Sequence, residues 1–376
     1  MVAVPSERLT GEAGGEARFA TPTEPEPTPA PAAAGSEPGY GSVLSVRGVG
    51  PGDLPGLRGI DVLLRLNQPE ALLVPYSPLR DGLAALLPGQ RARRRVFVAT
   101  VRTHLVGYAH FQPIPPDQRW LLVALGTTQI VAEPGTIWEA MLRHAIVVAG
   151  RQGVKRLYAR APAGAPAAPA LRAVGFTPYA TETIFAAHEL EPPTAGGRVR
   201  AQEAADTWAI HQLYNAAVPR QVQYAEAFTS HRWELGGARG ERRGVQVTGW
   251  LLESGHLVLG YARITTRGEH HLLDLVYHPE RIEAVAPLVD AALARLPRRG
   301  NRVYCAVRGY QAEAATVLQE RGFIPVLEQD LHVKYTTVNV RLPAGEVVPF
   351  RVEVRDRLPK RVPSLLHGRP QDETVT

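Results

Sequence analysis

Asp274, in the run His270-His-Leu-Leu-Asp-Leu-Val-Tyr277, is the residue of this 376-residue sequence best placed to act as a base. The run is apolar enough to be a buried strand. A carboxylate in a half-buried strand can take a proton from an amine, directly or through water. The alternative is structural: the same carboxylate could face solvent or pair with an arginine such as Arg263. His270-His271 has no acidic or cysteine partner at ligand spacing, so no metal site is expected. Cys305, the single cysteine, lies in a strand pattern and reads as a small packing residue rather than a nucleophile. One cysteine excludes an intrachain disulfide and fits a reducing, cytoplasmic setting.

These groups are positioned by an element that occurs twice. After the run at 270–277, Val285, Leu288, Val289, Ala292, Leu293 and Leu296 form one apolar helical stripe. Gly300 ends that helix, Arg302–Val307 is the next strand, and a short helix through Ala314, Ala315 and Leu318 stops at Gly322-Phe323. Shifted back by 147 residues, the stripe becomes Trp138, Met141, Leu142, Ala145, Ile146 and Ala149. Gly153 then answers Gly300, Ala159 answers Ala306, Leu171 answers Leu318, and Gly175-Phe176 answers Gly322-Phe323. Upstream, Val106-Gly-Tyr-Ala109 answers Leu259-Gly-Tyr-Ala262 at an offset of 153. Tyr108 and Tyr261 thereby recur, which suits packing against the helix better than catalysis. A shared apolar phase with two Gly-Phe stops indicates an internal duplication, each copy long enough for its own core.

The remaining segments fit this division. Residues 1–42 are rich in Pro, Ala, Gly, Glu and Thr and read as a disordered tail. The first domain, 43–190, opens with a strand at 44–49, and Asp53 can cap a following helix. A hairpin at 93–101 and 105–112 and a third strand at 120–125 come next. Residues 191–197 are a Pro/Gly linker. The second domain, 198–342, repeats the order, with a hairpin at 243–252 and 256–265 and a late strand at 330–340. An extension follows at 343–376, with one strand expected at 348–354. The net charge is +6 and lysine is nearly absent (Lys155, Lys334 and Lys360), so the cations are almost all arginine. Arginine clusters at 91–95 and 242–243 lack interleaved aromatics, so nucleic acid is not the expected partner. No run approaches a membrane span, and no secretory signal is visible.

The order of strand, helices, hairpin, third strand, helix, strand, helix and strand, closed by Gly-Phe, resembles the GNAT acyltransferase superfamily. The resemblance covers 44–190 and 198–341. It implies an α/β (α+β) protein of two tandem GNAT-like domains, each a mixed, mostly antiparallel sheet flanked by helices. The implied activity is acyl transfer from acetyl-CoA to an amine on a small molecule or peptide. Such chemistry needs a pyrophosphate cradle, a sheet edge for pantetheine, and acid/base groups. The resemblance places cofactor contacts at Val276, Tyr277, Arg281 and Ile282, with Asp274 as the catalytic residue. The family's Arg/Gln-x-x-Gly-x-Gly/Ala cradle is eroded to Glu133-Pro-Gly-Thr-Ile-Trp138 and Glu280-Arg-Ile-Glu-Ala-Val285. Thr136 to Glu139 reads as a capping box for the first long helix. The family's thiolate-protonating tyrosine is Leu171 in one copy and Leu318 in the other, and leucine has no proton to donate. The other reading is a non-catalytic binding or scaffolding protein that keeps the tandem fold.

Overall fold

The computed structural model describes residues 44–336 except 67–69, 74–76, 90–93, 115–117, 130, 132, 191–192, 194–198, 237–243 and 298–299. The sequence expectations for 1–42 and for a strand at 348–354 lie outside the described residues, as do most of the two arginine clusters. The first half contributes β1 (Leu44–Gly48), β2 (Val62–Arg65), α1 (Glu70–Leu73), α2 (Pro78–Leu86), β3 (Arg95–Val101), β4 (His104–Ile114) and β5 (Arg119–Thr127). These are followed by α3 (Pro134–Arg151), β6 (Arg156–Pro162), α4 (Ala168–Ala173) and β7 (Thr177–His188). The second half contributes β8 (Val199–Ala201), α5 (Thr207–Ala217), α6 (Arg220–Glu226), β9 (Gln246–Ser254), β10 (Leu257–Arg267) and β11 (His270–Tyr277). It closes with α7 (Val285–Leu293), β12 (Arg302–Arg308), α8 (Glu313–Gln319) and β13 (Ile324–Tyr335).

All thirteen strands among the described residues join one sheet, in the order β1-β3-β4-β5-β6-β13-β7-β12-β11-β10-β9-β8, with β2 attached to β5. The centre of that order departs from the sequence halves. β13, from the second half, pairs antiparallel with β6 of the first, and β7, from the first half, pairs antiparallel with β12 of the second. The halves have exchanged their last strands. β7 and β13 also pair with each other, and Glu182 faces Gln329, its own counterpart at the 147-residue shift. A pseudo-twofold axis therefore passes through that pair.

The duplication is visible in how the helices sit on the sheet. Trp138, Met141, Leu142 and Ala145 of α3 are buried against β3–β6, and Val285, Leu288, Val289 and Ala292 of α7 are buried against the second half. In both halves a strand glycine lets the helix approach. A Cβ on Gly107 would lie 2.6 Å from Ile137 Cγ2 and 2.9 Å from Met141 Sδ, and one on Gly260 would lie 2.5 Å from Leu288 Cδ1 and 3.3 Å from Ala284 Cβ. The partners correspond at the 147-residue shift. The stops correspond too: Gly175 and Gly322 have φ of +83° and +82°, and Phe176 N–H and Phe323 N–H donate to the carbonyls of Leu171 and Leu318. A left-handed residue is needed there, and glycine bears it without a Cβ clash.

Three local expectations are corrected. Ala159 shares the helix-facing core position with Cys305, whereas Ala306 lines a cavity on the other face. The chain between Gly300 and the first core residue of its strand is one residue shorter than in the first half, and a one-residue slip turns a strand residue to the opposite face. The long helix α3 starts at Pro134, two residues before Thr136, because proline's fixed φ suits the first helical position. Glu139 pairs with Arg143 one turn on instead of closing a capping box. Asp53 caps no long helix: it accepts Gly50 N–H at 2.7 Å and forms a bidentate pair with Arg47 at 2.6 and 2.7 Å.

Two consequences follow. A methyl at Gly107 meets a β-branched side chain and Ala99, neither of which can swing away, so Gly107→Ala should destabilise the protein by about 1–3 kcal/mol in chemical denaturation. A fragment ending at residue 190 has neither β13 nor β12, which leaves the inner edge of β6 and both edges of β7 unpaired. Expressed alone it should show no cooperative melting, while co-expression with 198–376 should restore it. A first-half fragment that melts cooperatively as a monomer would contradict the exchange.

Candidate active site

In each half one parallel strand pair begins together and then parts. β5 and β6 pair from Arg119–Arg156 to Leu122–Ala159, and β11 and β12 from His270–Arg302 to Leu273–Cys305. Beyond those points each outer strand continues alone, leaving a gap at its inner edge. The two hairpins align through their glycines, with Gly107 opposite Thr127 and Gly260 opposite Tyr277. The gap edges are therefore Ala124–Thr127 in the first half and Asp274–Tyr277 in the second.

The two gaps are closed differently. In the first half β2 lies along the edge, Val62–Arg65 pairing with Thr127–Ala124, and Leu66 N–H donates to the Val123 carbonyl at 3.0 Å. Leu66 is fully buried in the same core as Trp138. This strand was not foreseen, because four residues between turns carry little periodic signal. In the second half no strand lies along the edge among the described residues. One side chain bridges it: Gln311 Nε2 donates to the Leu275 carbonyl at 3.5 Å, and Tyr277 Oη donates to the Gln311 carbonyl at 3.2 Å. His278 N–H bonds to Leu259 on β10, so by strand alternation Leu275 and Tyr277 turn their backbone groups to the gap.

The sequence-derived residues surround this second gap without all facing it. Asp274 and Val276 line a cavity of about 70 Å³ at the gap. Tyr277 is buried on the helix side, where burial pushes its hydroxyl up to about 12. Arg281 is exposed, 3.5 Å from Glu283, and lines a separate cavity of about 440 Å³ with His278, His256 and Gln212. Ile282 is exposed and lines neither cavity. Leu171 and Leu318 are fully buried in the two helix-facing cores.

Asp274 is paired. Arg263, directly opposite on β10, donates Nη2 and Nε to its Oδ2 at 2.6 and 3.2 Å. Burial opposes its ionisation, but the guanidiniums of Arg263 and Arg232 outweigh that and hold the carboxyl below the usual carboxylate range. Around it is a charge cluster drawn from both halves, which the sequence analysis missed. Arg160 of β6 meets Glu70 of α1 at 2.5 Å and Glu182 of β7 at 3.7 Å. Arg308 of β12 meets Glu182 at 3.0 Å and Glu226 of α6 at 3.0 Å. Gln329 Nε2 donates to Glu182 at 2.5 Å, and Tyr214 Oη donates to Glu226 at 2.8 Å. Strand exchange brings these residues together, so spacing along the chain could not show the cluster.

Each half also reaches across to cap the other's helix. Arg119 Nη1 and Tyr158 Oη donate to carbonyls at the end of α6, at 2.8 and 2.6 Å, and Arg267 Nη1 donates to Leu73 at the end of α1 at 2.9 Å. Donors there satisfy orphan carbonyls and complement the helix dipole. Cys305 is fully buried and its thiol is pushed up by burial, so it packs. Among the described residues no group of His, Cys, Asp and Glu is arranged to hold a metal, and no helix is long and apolar enough to cross a membrane.

No family model matches the chain, and no curated protein does. Among solved structures, the chain is similar to a tandem GNAT protein from the clavulanic acid biosynthesis pathway, at 16% identity and a TM-score of 0.46, over 79% of this chain and 99% of that one. It is also similar to a GCN5-related N-acetyltransferase from Sphaerobacter thermophilus, at 11% identity and 0.47, over 78% and 96%. A third similarity is to a GCN5-related N-acetyltransferase from Anabaena variabilis, at 12% and 0.44, over 78% and 73%.

Arg263→Ala leaves Asp274 without its partner and should cost about 3 kcal/mol, measured by denaturant unfolding. Replacing both with Met and Leu should cost less than the single change, because no charge is left unpaired. The Asp274 carboxyl is depressed in the folded state, so its contribution is present above the unfolded value and lost as pH falls through the lower folded value. The advantage of wild type over Asp274→Asn should therefore vanish on acidification below pH ~4.

Proposed function

We propose that the second half carries an acyl-CoA-dependent N-acyltransferase site and that the first half has become its structural support. The observation that carries this reading is the difference between the two gaps. The edge the fold offers for pantetheine is covered by β2 in the first half. In the second, among the described residues, it is spanned only by the Gln311 side chain, whose 3.5 Å bond is readily exchanged for another donor.

The residues present fit acetyl-CoA in one half and not in the other. In the first half, β2 and the buried Trp138 fill the space, and Glu133 and Glu139 bring like charge to the helix start. In the second half, Leu275 and Tyr277 would hold the arm, and Arg281 would meet a phosphate by a charge-assisted bond. Acetyl-CoA supplies an activated acyl thioester when bound. Forming the amide requires the acceptor amine to lose one proton and the departing thiolate to gain one. Asp274, kept ionised by Arg263, is a weak base suited to orienting an ammonium or a water. Tyr277 stays protonated at neutral pH and keeps a proton at the gap edge.

A second reading, binding without catalysis, is favoured by Leu318 in place of the family's tyrosine and by the pairing of the Asp274 carboxylate with Arg263. Calorimetry of the whole chain with acetyl-CoA separates the two readings. The first expects binding that Arg281→Ala weakens by about tenfold, with slow acyl transfer to an amine. Absence of binding heat would leave only the second.

A further inference from the structure

The charge cluster encloses more than ion pairs. A second cavity, of about 390 Å³, adjoins the gap cavity and shares Glu70, Arg160, Glu226, Phe228 and Arg232 with it. Its other walls come from both halves and include the apolar Leu73, Ile114 and Leu121 and the aromatic Tyr158 and Tyr179. That size and lining suit a small organic ligand with an apolar or aromatic body.

Two groups on the walls are not matched. Arg232 faces the Phe228 ring, with its guanidinium carbon 5.3 Å from the ring centre, and no carboxylate among the described residues lies within 4 Å of it. It is exposed, and the nearby charge of Arg263 pushes it down to about 10, so it is cationic at neutral pH. Glu70 uses Oε1 on Arg160, while its buried Oε2 has no hydrogen-bond partner. An anion would satisfy the first group and an N–H donor the second. The cluster lining the gap already balances, with Glu70, Glu182, Glu226 and Asp274 against Arg160, Arg232, Arg263 and Arg308. A ligand with net charge would upset that balance, and a ligand carrying both charges would not.

We propose that the acceptor is a zwitterionic amine, an α-amino acid with an apolar or aromatic side chain, its carboxylate on Arg232 and its ammonium on Glu70. This rests on the acyltransferase reading for its role as acceptor, but the binding site stands on the cavity alone. The amine would lie beside the gap that begins at Asp274, and the side chain would occupy the larger cavity.

The test is calorimetry of the full chain with three probes and no acyl-CoA present. L-phenylalanine carries both charges, phenethylamine lacks the carboxylate and 3-phenylpropionate lacks the amine. L-phenylalanine should bind, and each truncated probe should bind about tenfold more weakly or less. Arg232→Met removes an exposed residue without an ion pair among the described residues, so the fold should survive. It should reduce L-phenylalanine to the level of phenethylamine and leave phenethylamine unchanged. Failure of L-phenylalanine to bind, equal binding of phenethylamine, or an Arg232→Met variant that binds L-phenylalanine like wild type would each overturn the proposal. L-phenylalanine binding in a chain that ignores acetyl-CoA would sink the acyltransfer reading and leave this site standing; the reverse result would do the opposite.

Discussion

The pairing of β7 with β13 is the contact on which the rest of the molecule depends. Each strand closes the sheet of the other half, so the centre of the sheet exists only when both halves are present. An interior ladder of this kind satisfies backbone groups that would otherwise be edges, and edges are costly to leave exposed. The exchange also dictates where charge collects. Glu182 and Gln329 meet on the pseudo-twofold axis, and Arg160 and Arg308 approach Glu182 from opposite halves. Glutamate on one side and glutamine on the other breaks the symmetry in one respect: two facing carboxylates there would repel, and the amide turns the pair into a hydrogen bond.

That asymmetry extends to the two gaps. A duplicated fold starts with two equivalent clefts, yet α1 from the first half packs over β11 while β2 from the same segment fills the first cleft. β2 thus covers one site and α1 builds a wall of the other. In the second half the corresponding segment forms α5 and α6, and α6 crosses to be capped by Arg119 and Tyr158. Mutual capping ties a helix of each half to the other half's sheet, so the second cleft has walls from both.

Much of this was legible in the sequence where burial repeats with a fixed period. The stripe from Trp138 to Ala149 and its partner from Val285 to Leu296 locate two helices, and the Gly-Phe stops fix their following turns, because a helix face and a left-handed glycine are local constraints. Asp274 was legible as an acid within an apolar strand, and Arg263 as a possible partner. The strand exchange was not legible: β7 and β13 carry the same inward pattern whichever half they join. β2 was too short to register, and the Ala159–Ala306 equivalence failed because one residue is missing after Gly300. The charge cluster was hidden for a related reason. Glu70, Arg160, Glu226 and Arg308 lie far apart in sequence and meet only through the exchange.

The cluster in turn constrains what the second cleft can do. Buried ion pairs contribute little net stability, since desolvation offsets most of their attraction. Packing apolar residues at the same positions would serve the fold at least as well. Their presence around a gap that no strand among the described residues covers therefore points to a site that must hold charge rather than to a requirement of folding. The same arginines that keep Asp274 ionised also weaken it as a base, so a catalyst built here relies on placing the amine more than on removing its proton. Leu318 is consistent with that division of labour: the core position is kept for packing, and the polar work falls to residues brought in by the exchange.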